Sequence, residues 1–263
     1  MDSHDVKTLV RTRYGSIAEA DPADGRAPAA SCCAPTSSPD AADKARAMGY
    51  SDADLAAVPD GANLGLGCGN PRAIAALRAA ETVIDLGSGA GFDCFLAARA
   101  VGPAGKVVGI DMTHEMLAKA RDNAARIGAA NVEFRLGELE HLPVADSFAD
   151  VILSNCVINL VPDHQQVFRE AFRVLKPGGR LAISDIVNIA PLAPELRGDA
   201  DLICGCMAGA APVEQLHAWL ATVGFDRIDI TVKPESRDLI ASWAPGRGIE
   251  DCVASAFIQA RKP

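Results

Sequence analysis

The sequence predicts an α/β protein whose core is an open, mostly parallel, twisted sheet with helices on both faces. From about residue 74 onward, short apolar segments of strand length alternate with amphipathic segments of helix length. Single helices separate successive strands, which is typical of parallel strands joined by right-handed crossovers. Hydrophobic residues make up 49% of the 263 residues and charged residues 22%, which indicates a globular chain.

Seven segments have the length and apolar content of buried strands: residues 82–86, 106–110, 132–135, 148–153, 180–186, 225–232 and 254–260. Helices are predicted at residues 92–100, 115–127 and 216–223, with a further helix that starts after Asp163. Asp163 is an N-cap candidate, and Gln166 three residues later completes the pattern of a capping box. The turn Lys176-Pro177-Gly178-Gly179 ends that helix before the fifth strand.

The first sixty residues show little hydrophobic periodicity. Residues 21–40 hold four prolines among many alanines and serines, which predicts an irregular arm. A short helix is predicted within residues 40–50, and Ser51 is the N-cap candidate of a following turn with acidic residues. The chain is divided accordingly into an N-terminal arm at residues 1–60, a ligand-binding core at 61–188 and a segment at 189–263 that completes the sheet.

The net charge argues against one broad class of partner. With 25 Lys and Arg against 34 Asp and Glu, the formal charge is −9, so binding to the phosphates of a nucleic acid is unfavourable. No apolar run approaches the ~18 residues of a membrane-spanning helix, and the first residues do not form a secretory signal. We therefore expect a soluble cytoplasmic monomer that binds neither nucleic acid nor membrane.

A glycine-rich turn follows the first strand of the core. Gly87, Gly89 and Gly91 lie between this strand and the next helix, where glycine lets the backbone approach a bound ligand. Asp111 ends the second strand about 20 residues downstream, where a carboxylate can bind ribose hydroxyls. Asp85, directly before the glycines, would repel a pyrophosphate and attract a cationic amino-acid group. These features favour S-adenosylmethionine over a dinucleotide as the cofactor.

Other residues are expected at the same edge of the sheet, because ligands of open α/β sheets collect at the carboxyl ends of the strands. For Met112, contact with the adenine face and ordinary core packing both stay open. The complete set of candidate cofactor-binding residues is Asp85, Gly87, Ser88, Gly89, Gly91, Asp111, Met112, Gly137, Glu138 and Asn155.

Several motifs resemble those of the arsenite methyltransferase family: residues 85–94, residues 109–113, residues 154–160 around Cys156, and the run Gly67-Cys68-Gly69-Asn70-Pro71. Cys206, which precedes Met207-Ala208-Gly209-Ala210, matches a third cysteine of the family. Many class I methyltransferases share the glycine turn and the Lys-Pro-Gly-Gly turn, whereas the cysteine motifs are much more specific. The resemblance covers roughly residues 61–210 and implies a Rossmann-like class I methyltransferase fold with S-adenosylmethionine as cofactor.

The resemblance implies that Cys68, Cys156 and Cys206 bind trivalent arsenic, with arsenite or methylarsenite delivered as thiol conjugates. Arsenic is soft, and soft ions prefer sulfur ligands. Three thiolates would leave the arsenic lone pair free to face the methyl group of the cofactor, a reaction in which positioning contributes most. A zinc site is the alternative, but the usual Cys-X-X-Cys pairs are absent. Under this interpretation the protein methylates arsenic and serves arsenic detoxification.

The resemblance also implies a role for the cysteine pair of the N-terminal arm. In the family an N-terminal cysteine forms a disulfide with the cysteine that corresponds to Cys68, which returns arsenic to the trivalent state. A reductant such as thioredoxin or glutathione then regenerates the thiols. Either Cys32 or Cys33 is the candidate, and the sequence does not choose between them. For Cys204, a spare arsenic ligand and a packed residue both stay open.

Two other functions are compatible with these residues. One is an S-adenosylmethionine-dependent methyltransferase of an organic small molecule, in which the cysteines only pack. The other is a non-catalytic, thiol-based metalloid binder. The loop positions of Cys32, Cys68 and Cys206 weigh against the first, and the complete glycine turn weighs against the second. Because a free thiol has a pKa near 8.5, we also expect arsenite binding to tighten as the pH rises from about 6 to 8.5.

Overall fold

Seven strands form one sheet at the centre of this computed structural model, which describes residues 3–20 and 41–263. In chain order the strands are β1 (Thr82–Leu86), β2 (Lys106–Asp111), β3 (Val132–Leu136), β4 (Ala149–Asn155), β5 (Leu175–Asn188), β6 (Asp226–Lys233) and β7 (Val253–Arg261). Their order across the sheet is β3-β2-β1-β4-β5-β7-β6. Neighbours among β1 to β5 pair in parallel, whereas β7 is antiparallel to both β5 and β6. The predicted open, mostly parallel sheet is confirmed.

The α-helices of the described residues are α1 (Ser3–Glu19), α2 (Ala41–Ala47), α3 (Asp52–Leu55), α4 (Arg72–Ala75), α5 (Phe92–Val101), α6 (His114–Ile127), α7 (His164–Val174), α8 (Pro194–Arg197), α9 (Ala200–Cys204), α10 (Val213–Val223) and α11 (Arg237–Trp243). Short 3-10 turns lie at Ile158–Leu160, Pro234–Ser236 and Ile249–Asp251. None of the helices in the described ranges combines the length and the apolar character that a membrane crossing requires.

Strand β1 illustrates how the sheet supports two layers of helices. Ile84 belongs to a buried cluster with Phe168 of α7, and Val83 belongs to a second cluster with Phe95 of α5 and Leu117 of α6. Neighbouring residues of a strand face opposite sides of the sheet, so the two clusters lie on opposite faces. Helices therefore cover both faces, as the sequence predicts.

The last two strands depart from the prediction that helix-separated strands pair in parallel. β6 and β7 are separated by α11 and are nevertheless antiparallel. A parallel connection has to cross the face of the sheet. Ile240 and Trp243 of α11 instead pack in the cluster that contains Cys68 and Val253, the first residue of β7. The chain therefore turns back at one end of the sheet, and β7 enters between β5 and β6.

Regular structure begins well before residue 74, which corrects the prediction for the first sixty residues. Helix α1 is 17 residues long, and only three of its residues are fully buried: Val10, Gly15 and Ala18. Its polar side chains hold it in place, since Lys7 and Arg11 form ion pairs with Glu138 at 2.7 and 2.5 Å. The apolar stripe of α1 is too narrow to give a periodic signal.

The predicted helix caps are confirmed in part. Ser51 and Asp54 form a reciprocal capping box at the start of α3, and α2 lies within the helix predicted at residues 40–50. The Asp163 side chain accepts from the backbone N–H of Gln166 at 2.9 Å, but the Gln166 side chain donates to the Glu140 carbonyl instead of completing the box. The irregular arm predicted at residues 21–40 lies outside the described residues.

Candidate active site

A cleft lies at the carboxyl ends of β1, β2 and β4, where the strand topology predicts a ligand site. Its empty space, including the part open to solvent, is about 1390 Å³. The glycine turn, Asp111 and Gly137 line one part of it, and Asn155, Cys156 and Cys206 line another. Residues predicted from distant parts of the sequence therefore meet in one cleft.

Two of the three predicted glycines in the turn between β1 and α5 line the cleft, and the third packs against aromatic rings. Gly87 has a φ of +69°, and a Cβ there would lie 2.5 Å from a methyl carbon of Val157. Gly91 has a φ of +93°, and a Cβ there would lie 2.8 Å from Phe95 and 2.9 Å from Phe134. Gly87 and Gly89 line the cleft, whereas Gly91 packs against the two aromatic rings and does not line it.

Asp111 joins the end of β2 to the glycine turn. Its carboxylate accepts the backbone N–H of Gly89 at 2.9 Å through Oδ2 and that of Thr113 at 2.8 Å through Oδ1. Each oxygen has two lone pairs, so both retain acceptor capacity toward ligand hydroxyl groups. Burial raises the pKa of Asp111 above its ordinary value, although the backbone N–H groups lower it. Met112 and Gly137 line the cleft beside it.

Glu138 does not line the cleft, contrary to what a cofactor-binding role requires. Both of its carboxylate oxygens pair with α1, with Lys7 at 2.7 Å and with Arg11 at 2.5 Å. Glu140, which is not among the predicted cofactor-binding residues, does line the cleft and forms an ion pair with Lys7 at 2.9 Å. Glu138 therefore fastens the N-terminal helix beside the cleft.

A cluster of buried carboxylates lies below the glycine turn. Burial raises the pKa of Asp85 well above its usual range, and the nearby charges of Asp93 and Asp111 raise it further. Asp85 accepts the Cys94 thiol at 3.1 Å, and Asp93 accepts the Tyr50 hydroxyl at 2.7 Å. Among the described residues none of these three carboxylates forms an ion pair. Asp85 and Asp111 are predicted here from the sequence, whereas Asp93 is not, since its only signal is its place just after the glycines.

These groups fit S-adenosylmethionine. Its amino-acid part and its sulfonium carry positive charge, which would face Asp85 and Asp93. Among the described residues these carboxylates form no ion pair, and Arg72 acts on Asp93 only through its longer-range charge. Its ribose offers hydroxyl donors for which Asp111 has free acceptor capacity. The hydroxyl of Ser88, in the glycine turn, is buried and has no hydrogen-bond partner within the described part of the chain. A buried polar atom without a partner is costly, so a ligand that reaches Ser88 would stabilise this turn.

Asn155 lines the cleft, but its amide is used mainly to hold the loop that contains Cys68. The side-chain oxygen accepts the backbone N–H of Cys68 at 3.1 Å, and the amide nitrogen donates to the Gly69 carbonyl at 2.8 Å. The same nitrogen donates to the Tyr50 hydroxyl at 3.1 Å. The predicted cofactor contact of Asn155 stays a prediction, and the structure adds its bond to the cysteine loop.

Cys156 and Cys206, from distant parts of the chain, line the cleft, whereas Cys68 is not among the residues that line it. Cys68 is buried, with its sulfur 3.7 Å from the Ser184 hydroxyl, and its sulfur lies within 4.8 Å of that of Cys156. The Cys206 thiol donates to the Cys156 carbonyl at 2.7 Å. Cys204 also lines the cleft. The candidate relay residues Cys32 and Cys33 lie outside the described residues.

Two of these cysteines have a backbone conformation that side chains seldom adopt. Cys156 has a φ of +57° and Cys206 a φ of +63°, both in the left-handed region. Hydrogen bonds hold them there, from the backbone N–H of Cys156 to the Ser184 carbonyl at 2.8 Å and from that of Cys206 to the Ile203 carbonyl at 3.0 Å. Strain of this kind concentrates at functional sites, which marks the two cysteines independently of their sequence motifs.

We expect Cys206→Gly to be more stable than Cys206→Ala by about 1 kcal/mol, because the left-handed conformation penalises any Cβ by that amount. The matched pair at Cys204, the last residue of α9, should show the opposite order, since glycine costs about 0.5–1 kcal/mol relative to alanine in a helix. Urea denaturation of the four variants measures both differences. Equal stability of the two Cys206 variants would show that the left-handed conformation is not strained.

The thiols of Cys68 and Cys156 are held in their protonated form. Burial raises the pKa of Cys68 well above its ordinary value, and the neighbouring Cys156 adds to the effect. Contact with the Cys206 thiol raises the pKa of Cys156, and burial raises it further. The site therefore offers neutral thiols at neutral pH, and a ligand has to displace their protons.

Known proteins are similar to this chain in sequence and in fold. The family described as a methyltransferase domain matches residues 77–224. An arsenite methyltransferase of Halobacterium salinarum is 48% identical over 273 residues, covering all of this chain and 68% of that protein. The human arsenite methyltransferase is 42% identical over 152 residues, which cover 54% of this chain and 40% of that protein. The solved structure of an arsenic(III) S-adenosylmethionine methyltransferase from Chlamydomonas reinhardtii superposes with a TM-score of 0.61 at 30% identity, covering 86% of this chain and 74% of that chain.

Proposed function

The chain belongs to the arsenite methyltransferase family of S-adenosylmethionine-dependent methyltransferases, and from this we propose that it methylates trivalent arsenic bound to Cys68, Cys156 and Cys206. One observation carries the proposal: Cys156 and Cys206 line the same cleft as the glycine turn and Asp111, and the buried sulfur of Cys68 lies within 4.8 Å of that of Cys156. A protein that only sequesters arsenic needs the thiols but not the cofactor half of the cleft. A methyltransferase of an organic molecule needs the reverse.

The cofactor half of the cleft has a group for each polar part of S-adenosylmethionine. Asp111 would accept the ribose hydroxyls, and Asp85 with Asp93 would face the positively charged amino-acid part. The Ser88 hydroxyl would gain the partner that it lacks among the described residues. The bound cofactor supplies a methyl group on a positively charged sulfur. The chain contributes the positions of these groups around the bound cofactor.

The thiol half of the cleft would bind arsenite by ligand exchange. Arsenous acid is neutral and carries three hydroxyl groups. Each arsenic–sulfur bond that forms breaks one arsenic–oxygen bond, and the thiol proton leaves with the hydroxide as water. Three sulfur ligands leave the arsenic lone pair as its free coordination position, available to take up a methyl group. The raised pKa of Cys68 and Cys156 suits this exchange, because each thiol arrives with the proton that the hydroxide needs.

Methylation oxidises arsenic to the pentavalent state, so a further turnover requires two electrons. We extend the proposal to a relay in which Cys68 and either Cys32 or Cys33 become a disulfide while arsenic returns to the trivalent state. Thioredoxin or glutathione would then reduce that disulfide by thiol exchange. A relay of this kind requires a reducing compartment such as the cytoplasm, and we propose that the chain acts there as a monomer.

The raised pKa values of Cys68 and Cys156 lead us to propose a weaker pH dependence of arsenite binding than the sequence predicts. Exchange of these two protonated thiols with neutral arsenous acid forms water without releasing protons. Because no proton is released or taken up at these two ligands, they should add no pH dependence to the affinity for arsenite from about pH 6 to 8.5. Calorimetric titration of arsenite at several pH values measures it. A tenfold gain in affinity per pH unit would show that thiols ionise on binding.

The direct test is transfer of a labelled methyl group from S-adenosylmethionine to arsenite in the presence of a thiol reductant. We expect labelled methylarsenicals with the wild-type chain and none without arsenite. Label that appears in an organic acceptor, with no dependence on arsenite, would instead identify a methyltransferase of small organic molecules. Tight arsenite binding with no transfer would identify a metalloid-binding protein.

A further inference from the structure

A buried carboxylate lies beside two of the thiols and has no part in the proposed reaction. The ligand atoms of Cys68, Cys156 and Asp185 all lie within 4.8 Å of one another. Asp185 is 2% exposed, and its Oδ2 accepts the backbone N–H of Ile158 at 2.9 Å, while Oδ1 accepts the side chain of Asn159 at 2.9 Å.

Among the described residues the charge of Asp185 is stabilised by N–H groups alone. Its hydrogen-bond partners are backbone and amide N–H groups, and no Lys or Arg of the described residues pairs with it. Burial of an anion without a counter-charge is costly. Arsenic bonded to three thiols is neutral and leaves this cost in place. A divalent cation bound directly to the carboxylate would give Asp185 the counter-charge that the described residues do not supply, and with two thiolates as its other ligands the site as a whole would keep a single negative charge.

We propose that Cys68, Cys156 and Asp185 form a binding site for Zn²⁺. Thiolate sulfur and carboxylate oxygen are both zinc ligands, and three protein ligands leave the fourth position of the tetrahedron for water. Each thiol releases its proton to solvent as its sulfur binds the cation. The ligands come from the loop before α4, from the residue after β4 and from β5 itself. Because they are far apart in the sequence, they do not form a Cys-X-X-Cys pair that would indicate a zinc site.

Zinc and arsenite share two thiols and differ in the third ligand. Cys206 is not part of the three-atom cluster, and its thiol donates to the Cys156 carbonyl. Zinc therefore requires Asp185 and not Cys206, whereas arsenite requires Cys206 and not Asp185. It follows that Zn²⁺ excludes arsenite from the cleft. This competition rests on the proposed function, but zinc binding itself does not.

The test uses the full chain with Cys32 and Cys33 replaced by serine, so that the thiols of the N-terminal arm do not bind the added metal. Competition with a chromophoric zinc indicator gives the Zn²⁺ affinity, and Co²⁺ serves as a spectroscopic probe because thiolate-bound Co²⁺ absorbs by charge transfer. Loss of a residue that only hydrogen-bonds to a metal ligand costs roughly 10- to 100-fold in metal affinity. Asp185→Asn removes a ligand itself and should weaken zinc binding by more than that. Cys206→Ser should leave the zinc affinity and the Co²⁺ spectrum unchanged and should abolish arsenite binding.

Cys252→Ser is the matched control, since Cys252 lies away from the cleft with its thiol directed at the Pro191 carbonyl. It should change neither affinity. Loss of zinc binding in Cys206→Ser, or unchanged zinc binding in Asp185→Asn or Cys68→Ser, overturns the proposed site. The Cys68 and Cys206 variants decide the outcome even where Asp185→Asn does not fold. Zinc binding as expected without arsenite binding by the wild type supports the zinc site and refutes the proposed function.

Discussion

Cys156→Ser is expected to abolish methyl transfer to arsenite and to methylarsenite alike. Its sulfur is the central one of the three, next to Cys68 on one side and to Cys206 on the other. A serine oxygen is a hard ligand and does not hold soft arsenic. Even a shift of about 1 Å in a reacting group can cost about 100-fold in rate, so complete loss of one ligand should cost at least that much.

Loss of the other thiols should reduce the methylation rates of arsenite and methylarsenite to different degrees. Methylarsenite already carries one carbon and needs only two sulfur ligands, so loss of Cys68, or of both Cys32 and Cys33, should impair arsenite methylation more than methylarsenite methylation. Cys252→Ser serves as the control that changes neither rate. Initial rates with both substrates measure the separation. Wild-type activity of Cys156→Ser on either substrate would contradict the ligand assignment.

Asp111→Asn is expected to lower the affinity for S-adenosylmethionine by about tenfold or more. A hydrogen bond to a charged group contributes roughly 1.5–3 kcal/mol, and each 1.4 kcal/mol corresponds to tenfold. The substitution also places an amide N–H₂ opposite backbone donors of Gly89 or Thr113, which disturbs the glycine turn. Calorimetric titration of S-adenosylhomocysteine measures the change.

Asp229→Asn is the matched control for this measurement. Asp229 lies exposed on the edge strand β6 and accepts only the Thr231 hydroxyl among the described residues, so its charge should not affect the cleft. Affinity unchanged in a folded Asp111→Asn protein would remove Asp111 from the cofactor site.

The central strands and the glycine turn could be predicted because their signals are local. A strand such as β1 is apolar along its length, and the turn after it needs glycine for backbone reasons that involve only a few residues. The edge where ligands gather then follows from parallel pairing. The resemblance of the cysteine motifs to those of the family predicted Cys156 and Cys206 as site residues. The left-handed backbone conformation of these two cysteines could not be predicted from the sequence.

The features that the sequence did not predict depend on distant partners. Helix α1 is stabilised by the pairing of Lys7 with Glu138, 131 positions away, so neither residue shows its role locally. Because this ion pair is not visible in the sequence, Glu138 was predicted to contact the cofactor. Asp185 lies inside an apolar strand, where a lone carboxylate gives no sign that two thiols lie beside it. The antiparallel entry of β7 depends on how α11 packs, which strand periodicity does not specify.

The position of β7 imposes an order on biosynthesis. The hydroxyl of Ser255 in β7 donates to the Cys68 carbonyl at 2.9 Å, so the cysteine loop is fully anchored only after residue 255 has left the ribosome. Strands β1 to β5 can pair earlier, whereas β6 has no neighbour until β7 arrives. The loop that contains Cys68 is therefore completed by the last strand in chain order, the same strand that gives β6 its neighbour.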